Sequence, residues 1–460
     1  MKRHHVTSLS GLVAALLWSS NAYASDGLNF IGYGPTSIAM GGTGAASDIG
    51  AAGMMINPAT LVLMDEGFTG QIGLDVLAAD IEIRNLATGE IDNSQSRGKN
   101  NGPYLSPELG LVYRRGNLAL GVGVFASAGA GTQYRSDGFL SRLVTNNVET
   151  GFRNFSRLSI ARIPISAAFR VTDRLSVGGS LDVVWSSMNL GLLLDASQLG
   201  ALAAQQRLSG ELVPGLLQIP ALSGGYLTFD NDSAIGGEAE GWGVGGKLGA
   251  TYQISPRTRL GVVYNFKTSV DDLTGQGQLT AVSAVAGNIP LRGEVRLRDF
   301  QEPARIRVGV HHEFSDKLSV AVDYQRMFWD SVIENINVGI EDEVTGGEAN
   351  LSFPTNYRDT DVVGVGAQYR LAPQFALRAG FHYAEAPARG SGILAVVPST
   401  PTTHITGGGS WSLGNGDAVD FALAYAFPET EINGGPPNTS VPIAAKHSQI
   451  HASLAFTKAF

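Results

Sequence analysis

The chain contains no cysteine. That excludes a disulfide frame, a thiolate nucleophile and any cysteine-based zinc site. Charge is also scarce, at 16% of residues, and basic residues (32) are outnumbered by acidic ones (41). A formal net charge of −9 disfavours a nucleic-acid partner. No run of eighteen consecutive apolar residues occurs, so no transmembrane helix is expected. Intrinsic disorder needs low hydrophobicity and high net charge, and a chain that is 43% hydrophobic has neither. The eight histidines include the adjacent pairs His311-His312 and His4-His5, and His447 and His451 at i,i+4 fall on a strand, where that spacing does not bring ligands together, so neither a metal nor a cofactor is expected.

What is present begins at the N-terminus. Lys2-Arg3, an apolar run from Leu9 to Trp18 and Ala22-Tyr23-Ala24 read as a secretory signal peptide over residues 1–24. The run is too short to span a bilayer as a helix. An exported chain of this composition is either a soluble periplasmic protein or an outer-membrane barrel.

Period-2 alternation runs through the rest. In "KLSVAVDYQR", Leu318, Val320, Val322 and Tyr324 share one face, and Ser319, Ala321, Asp323 and Gln325 the other. "QFALRAGFHY", "AVDFALAYAF", "NLALGVGVF" and "RLGVVYNF" repeat the pattern. Alternation alone fits a soluble sheet too, so the breaks decide. Six are short: "RRGN" (114–117), "VTDR" (171–174), "ISPR" (254–257), "FSDK" (314–317), "LAPQ" (371–374) and "GNGD" (414–417). Between them lie seven long Gly-rich or polar stretches: 79–104, 129–155, 191–238, 271–301, 335–356, 387–403 and 429–446. Short turns alternating with long loops are the mark of an outer-membrane barrel. The count predicts an all-β fold, a 14-stranded antiparallel transmembrane β-barrel over residues 67–460. Both chain ends then lie on the periplasmic side.

Tyr113, Phe169, Tyr252, Phe314, Tyr369 and Trp411 stand at or just before the short turns, as an interfacial aromatic girdle would. An open sheet edge is intolerable in lipid, so the first strand must pair with the last. The last strand, "IHASLAFTKAF", alternates to its end. Its terminal Phe460 resembles the signal that barrel-assembly machinery reads.

Residues 25–66 precede the first strand. They are small, apolar and Gly-rich, and they run into Asn57-Pro58-Ala59. Pro58 stops a helix, and Asn57 before it favours an extended or turn conformation. Such a segment is expected to fold back and plug the lumen as an N-terminal hatch. "GGTGAAS" is not a nucleotide-binding loop, because that fingerprint needs a preceding strand and a following helix.

The segment "SDGLNFIGYGPTSIAMGGTGAASDIGAAGMMINPATLVLM" resembles the hatch of the FadL family of outer-membrane long-chain fatty acid and hydrocarbon transporters. The likeness rests on "AMGGTGAA", the following Asp48, and "NPA" ahead of the first strand. The resemblance implies uptake of a hydrophobic compound. Outer loops would capture it, a lumen pocket would hold it, and a wall gap at a kinked third strand would release it sideways. That strand reads "LALGVGVFASAGAGTQY", and Gly129 and Gly131 are its candidate kink residues, because glycine weakens a strand; the alternative is that the strand simply ends there. Pro164 on the neighbouring strand cannot donate to a ladder, and it is assigned to the same gap or to a bulge elsewhere on its strand. Phe30 and Phe125 are candidate pocket walls.

Arg358 in "NYRDTD" is the best match for the basic group that the resemblance implies beside a ligand carboxylate, with an ordinary rim charge as the alternative. The second basic residue that fatty-acid members would place beside the fifth strand is absent from "VVWSSMNL". That leaves uncharged and aromatic hydrocarbons open as ligands. The loop 191–225 carries "LLLDASQLGALAAQQRL", in which Leu194, Leu199 and Leu202 fall on one helical face, as in the outer capture helix of the family. Expected partners are outer-membrane lipid, lipopolysaccharide and the assembly machinery, with the chain a monomer. The rival readings are a general or aromatic-hydrocarbon diffusion porin, which would have an open lumen narrowed by an inward-folded outer loop, a soluble or adhesive β-protein, and an outer-membrane phospholipase. The last would need a serine converging with an inward-facing histidine such as His382 or His451.

Overall fold

A computed structural model describes residues 27–95, 103–231, 233 and 235–460. The signal peptide expected over residues 1–24 lies outside the described residues.

Strands form wherever the alternation ran. They are β1 (Gly67–Asn85), β2 (Tyr104–Arg115), β3 (Leu118–Gln133), β4 (Phe155–Arg170), β5 (Leu175–Asp195), β6 (Ala239–Ser255) and β7 (Thr258–Asn265). They continue as β8 (Arg305–Glu313), β9 (Leu318–Met327), β10 (Thr360–Ala372), β11 (Phe375–Ala384), β12 (Thr403–Gly414), β13 (Asp417–Asn433) and β14 (Ile443–Ala459). Each pairs antiparallel with the next. β14 returns to β1 in unbroken register from Thr69↔Ala459 to Asn85↔Ile443. The sheet is therefore a closed barrel, and closure removes the edge that hydrocarbon could not tolerate.

Side-chain alternation sorts the two faces. Ile72, Leu74, Leu109, Leu111, Val262, Val322, Leu377, Leu423 and Leu454 point outward and are exposed. Polar partners on the same strands, among them Gln71, Asp75, Glu108, Asp323, Gln325 and Ser453, point inward and are buried. Leaving leucine-sized side chains in water would forgo about 1.5–3 kcal/mol each, so the belt needs an apolar solvent. All six aromatics at the short turns are exposed, at one end of the belt. No helix among the described residues is long and apolar enough to cross a membrane.

The long connections are less loop-like than the composition suggests. Leu273–Ser283 pairs with Gly287–Arg298, and Asn335–Asp342 with Glu348–Pro354, as hairpins. These stack side by side and extend from the upper end of β5 through Leu222–Phe229. Helix Ala196–Ala204 lies beneath them, capped by Asp195 and Gln198 in a reciprocal capping box. Leu199 and Leu202 are on this helix, whereas Leu194 lies in β5; all three are buried in one apolar cluster of the outer loops.

The segment 27–66 lies inside the ring and is buried almost throughout. It reaches the wall on several sides. Gly41 N donates to Thr406 Oγ1 at 3.1 Å on β12. Gly44 and Ala45 N both donate to Asp323 Oδ2 at 3.0 Å on β9. Ala51 N donates to Gln71 Oε1 at 3.1 Å on β1. Gly41 and Gly42 turn the chain with φ of 68° and 81°, a conformation that side chains disfavour.

Inward-facing strand glycines make the seat for this segment. A Cβ on Gly261 would stand 1.9 Å from Ala45 O, and one on Gly249 2.0 Å from Asn57 Oδ1. On Gly380 it would stand 2.3 Å from Gly41 N, and on Gly110 2.4 Å from Ala51 Cβ. We predict that Gly261→Val loosens the inner segment, at a cost of about 1–3 kcal/mol from overpacking. Single-channel conductance in planar bilayers should rise, while Gly407→Ala, on the lipid face, should leave it unchanged.

Candidate functional site

The wall departs from regularity at the third strand, and again where the pairing of β13 with β14 steps from Ala426↔Gln449 to Glu429↔His447. Pairing of β3 with β4 steps between Ala126↔Ala161 and Ala128↔Ile160, so Ser127 is an extra residue, a β-bulge. Just below it the ladder lapses. Val122 pairs with Ile165 and Phe125 with Arg162, but Gly123, Val124, Ile163 and Pro164 make no rungs between β3 and β4. Pro164 has no N–H to give there, although it keeps its register with Asp182 on β5. Gly129 and Gly131 lie past the bulge and remain paired, with Ser159 and Arg157. The register step thus falls two residues ahead of the glycines expected to carry the kink.

At the bulge the wall meets the inner segment through backbone. Asn29 bridges to Ala128, and Gly129 N donates to Leu28 O at 3.1 Å. Tyr33 donates its hydroxyl to Ser127 O at 3.0 Å. A cavity with about 530 Å³ of atom-free space, its open mouth included, lies at this junction. Phe30, Gly129 and Gly131 all line it, so the structure brings these three together. Leu28, Leu77, Ile81, Val396, Pro398 and His447 complete much of the lining.

The connection between β11 and β12 roofs the cavity. Tyr134 Oη donates to Ala395 O at 2.6 Å, and Thr132 Oγ1 donates to Val396 O at 2.8 Å. Burial pushes the Tyr134 hydroxyl well above its usual range, so it stays a donor at neutral pH. An outer loop therefore folds inward here, a feature associated above with porins, but it does so over an occupied lumen.

The remaining sequence candidates lie elsewhere. Phe125 faces inward and is buried in a separate cluster with Met54 and Ala51, against whose edge Phe30 packs. Asn57 is fully buried on the β6 side of the lumen. It donates to Ala45 O at 2.7 Å and to Ala250 O at 3.3 Å, and accepts from Ala59 N at 3.1 Å. Pro58 opens the short 3-10 helix Pro58–Leu63 that Asn57 caps. The triplet is thus an anchor for the inner segment. Arg358 is exposed, in the connection before β10, and is not among the residues lining the cavity. That lining contains no lysine or arginine.

A buried charge network stands on the lumen side of the lapsed rungs. Arg162 bonds Asp182 at 2.8 Å and Glu302 at 2.9 Å, and Lys247 bonds Asp182 at 2.6 Å. Ser127 Oγ reaches Glu302 Oε2 at 3.3 Å, tying the bulge to the connection before β8. The partners are far apart in sequence; inward parity marks Arg162, Asp182 and Lys247 beforehand, whereas Glu302 lies in a connection and carries no such mark.

The fold and this arrangement define a class: a closed β-barrel with a lipid-facing exterior and an apolar cavity beside an inner N-terminal segment, as in an outer-membrane transport protein. The model of the family described as "Outer membrane protein transport protein (OMPP1/FadL/TodX)" matches residues 12–446. The chain belongs to that family, and it is an outer-membrane protein. It is similar to the toluene transporter TbuX of Ralstonia pickettii, with 49% identity, 94% of this chain and 99% of that one covered, and a TM-score of 0.80. It is also similar to the toluene transporter TodX of P. putida, with 35% identity, 94% and 99% coverage and a TM-score of 0.84. Outer membrane protein P1 of Haemophilus influenzae is 26% identical over 353 residues, covering 73% of this chain and 70% of that protein.

Removing one member of the buried network should be costly. Arg162→Met leaves Glu302 without its guanidinium and should destabilise the barrel by about 3–5 kcal/mol. Urea unfolding in detergent, followed by tryptophan fluorescence, reads the loss.

Proposed function

We propose that this protein takes up uncharged hydrophobic compounds of the monoaromatic hydrocarbon class across the outer membrane. The barrel is read as fourteen crossing strands with residues 25–66 as a hatch. The ligand enters at the outer loops, with helix Ala196–Ala204 among them, and passes to the cavity beside Phe30. It leaves sideways into the bilayer through the interval between the Ser127 bulge and Pro164. The observation that carries this reading is the cavity itself: apolar, bounded by the bulged strand, and without a cation in its lining. A carboxylate held there would lose hydration without gaining a partner, which disfavours fatty acids. On the measure by which a cavity of about 150 Å³ accommodates benzene, the enclosed space here is about 40 Å³, so a ring is admitted only as the roof and Phe30 give way. The toluene transporters TbuX and TodX support the same ligand class by likeness.

Lateral release has a plain physical advantage. An apolar solute gains about 0.8 kcal/mol per CH₂ on leaving water. A path from the cavity to lipid past the Arg162–Glu302 pair spares it an aqueous lumen. The partners follow: outer-membrane lipid receives the ligand, lipopolysaccharide surrounds the outer rim, and the exposed Phe460 serves the barrel-assembly machinery. One barrel suffices for the route, so the working unit is a monomer. A diffusion porin is the second reading, favoured by the inward-folded loop alone.

The test is uptake of radiolabelled toluene and oleate by Gram-negative cells producing this chain as their sole member of the family. Toluene uptake should rise several-fold over cells without it, and oleate uptake should not. Deleting Ser127 brings Ala126 and Ala128 into one continuous register and should abolish toluene uptake with the barrel still folded by heat-modifiable gel mobility. Oleate uptake that is lost in Arg358→Ala would restore the fatty-acid reading. Unchanged toluene uptake after the deletion would remove the side exit.

A further inference from the structure

The cavity lining is mostly apolar, and its polar side chains are Asn29, Tyr104, Thr132, Ser399, His447 and the half-buried Gln449. His447 stands on β14 with its side chain on the lining. Its Nδ1 lies 2.9 Å from the carbonyl oxygen of Pro398. A carbonyl can only accept, so Nδ1 carries the proton and Nε2 presents a bare lone pair. That Nε2 is buried and has no hydrogen-bond partner. The other hydroxyls on the lining are engaged: Thr132 donates to Val396 O and Ser399 to Gly27 O, while Asn29 and Tyr104 also have partners. Among the described residues, His447 Nε2 is the buried polar side-chain atom on this lining left without a partner.

An unmet acceptor in an apolar cavity is unfavourable unless the ligand meets it. A plain hydrocarbon cannot do so. A ring bearing a hydroxyl can, by placing its O–H on the imidazole and its ring against Phe30 and the aliphatic walls. We propose that the cavity selects hydroxylated monoaromatics, phenols and cresols, over otherwise similar rings, with His447 Nε2 as the hydrogen-bond acceptor that discriminates. The Pro398 carbonyl is the positioning group, because it sets the tautomer. This rests on the cavity being the ligand site, and it narrows the ligand class at that site. The same logic separates a phenol from its methyl ether, which keeps the oxygen but has no proton to donate.

The test is isothermal titration of the detergent-solubilised full barrel with toluene, p-cresol and 4-methylanisole. Wild type should bind p-cresol about five- to tenfold more tightly than 4-methylanisole, the ratio expected for one hydrogen bond. His447→Leu should erase that ratio, bringing the p-cresol and 4-methylanisole affinities together. His447→Gln, which offers a carbonyl acceptor, should keep part of it. Toluene binding with no cresol preference in wild type, or a preference that survives in His447→Leu, overturns this inference and leaves the hydrocarbon reading standing. Binding of none of the three overturns both.

Discussion

Hydrocarbon offers no partner to a peptide group, and that constraint governs the molecule. Each strand must hand its donors and acceptors to neighbours on both sides, so the seam between β1 and β14 runs unbroken through seventeen residue pairs. Everything else follows from a cylinder that cannot open at an edge. The exterior is free to be greasy. The interior must hide its polar side chains, and here an N-terminal segment meets many of them. The interval between β3 and β4 where rungs lapse is backed by a buried network of Arg162, Asp182, Glu302 and Lys247 rather than left bare.

Glycine contributes in two opposite ways. In the inner segment it lets the chain reverse tightly, at Gly41 and Gly42. On the wall it clears ground for that segment, where Gly110, Gly249, Gly261 and Gly380 face it with no side chain. The fit is therefore a close one, backbone against backbone at Gly261 and Gly380 and against the side chains of Asn57 and Ala51 at Gly249 and Gly110. Such a fit is intolerant of added volume, and hydrogen bonds accepted by Asp323, Thr406 and Gln71 on the wall, with one that Asn57 donates to Ala250 O, determine its alignment.

Much of the fold was legible because lipid simplifies the code. Tight polar breaks coincided with the observed turns, since a short turn leaves little room for ambiguity. Phe30 was legible through resemblance, and His447 shares the inward parity of His451 on the last strand, so it stood in view and was passed over. The bulge at Ser127 was displaced onto Gly129 and Gly131 because an extra residue leaves no mark in composition; Ala126-Ser127-Ala128 reads like any small-residue strand. The roof from residues 395–399 and the Arg162–Glu302 pair depend on chain segments far apart, which no local pattern connects. The hairpins at 273–298 and 335–354 looked like loops because their polarity outweighed their alternation. Arg358 was chosen for its charge, and charge at a rim does not locate a pocket.

The cavity takes its walls from residues 27–30, from β3, from the roof at 396–399 and from β14. The first and last described portions of the chain thus face one another across it. No partial barrel, released before its final strand is stitched to its first, possesses this chamber. A small aromatic held there would therefore act as a witness to completed assembly: occupancy would distinguish a finished cylinder from one halted a strand short, and would favour the finished one by mass action.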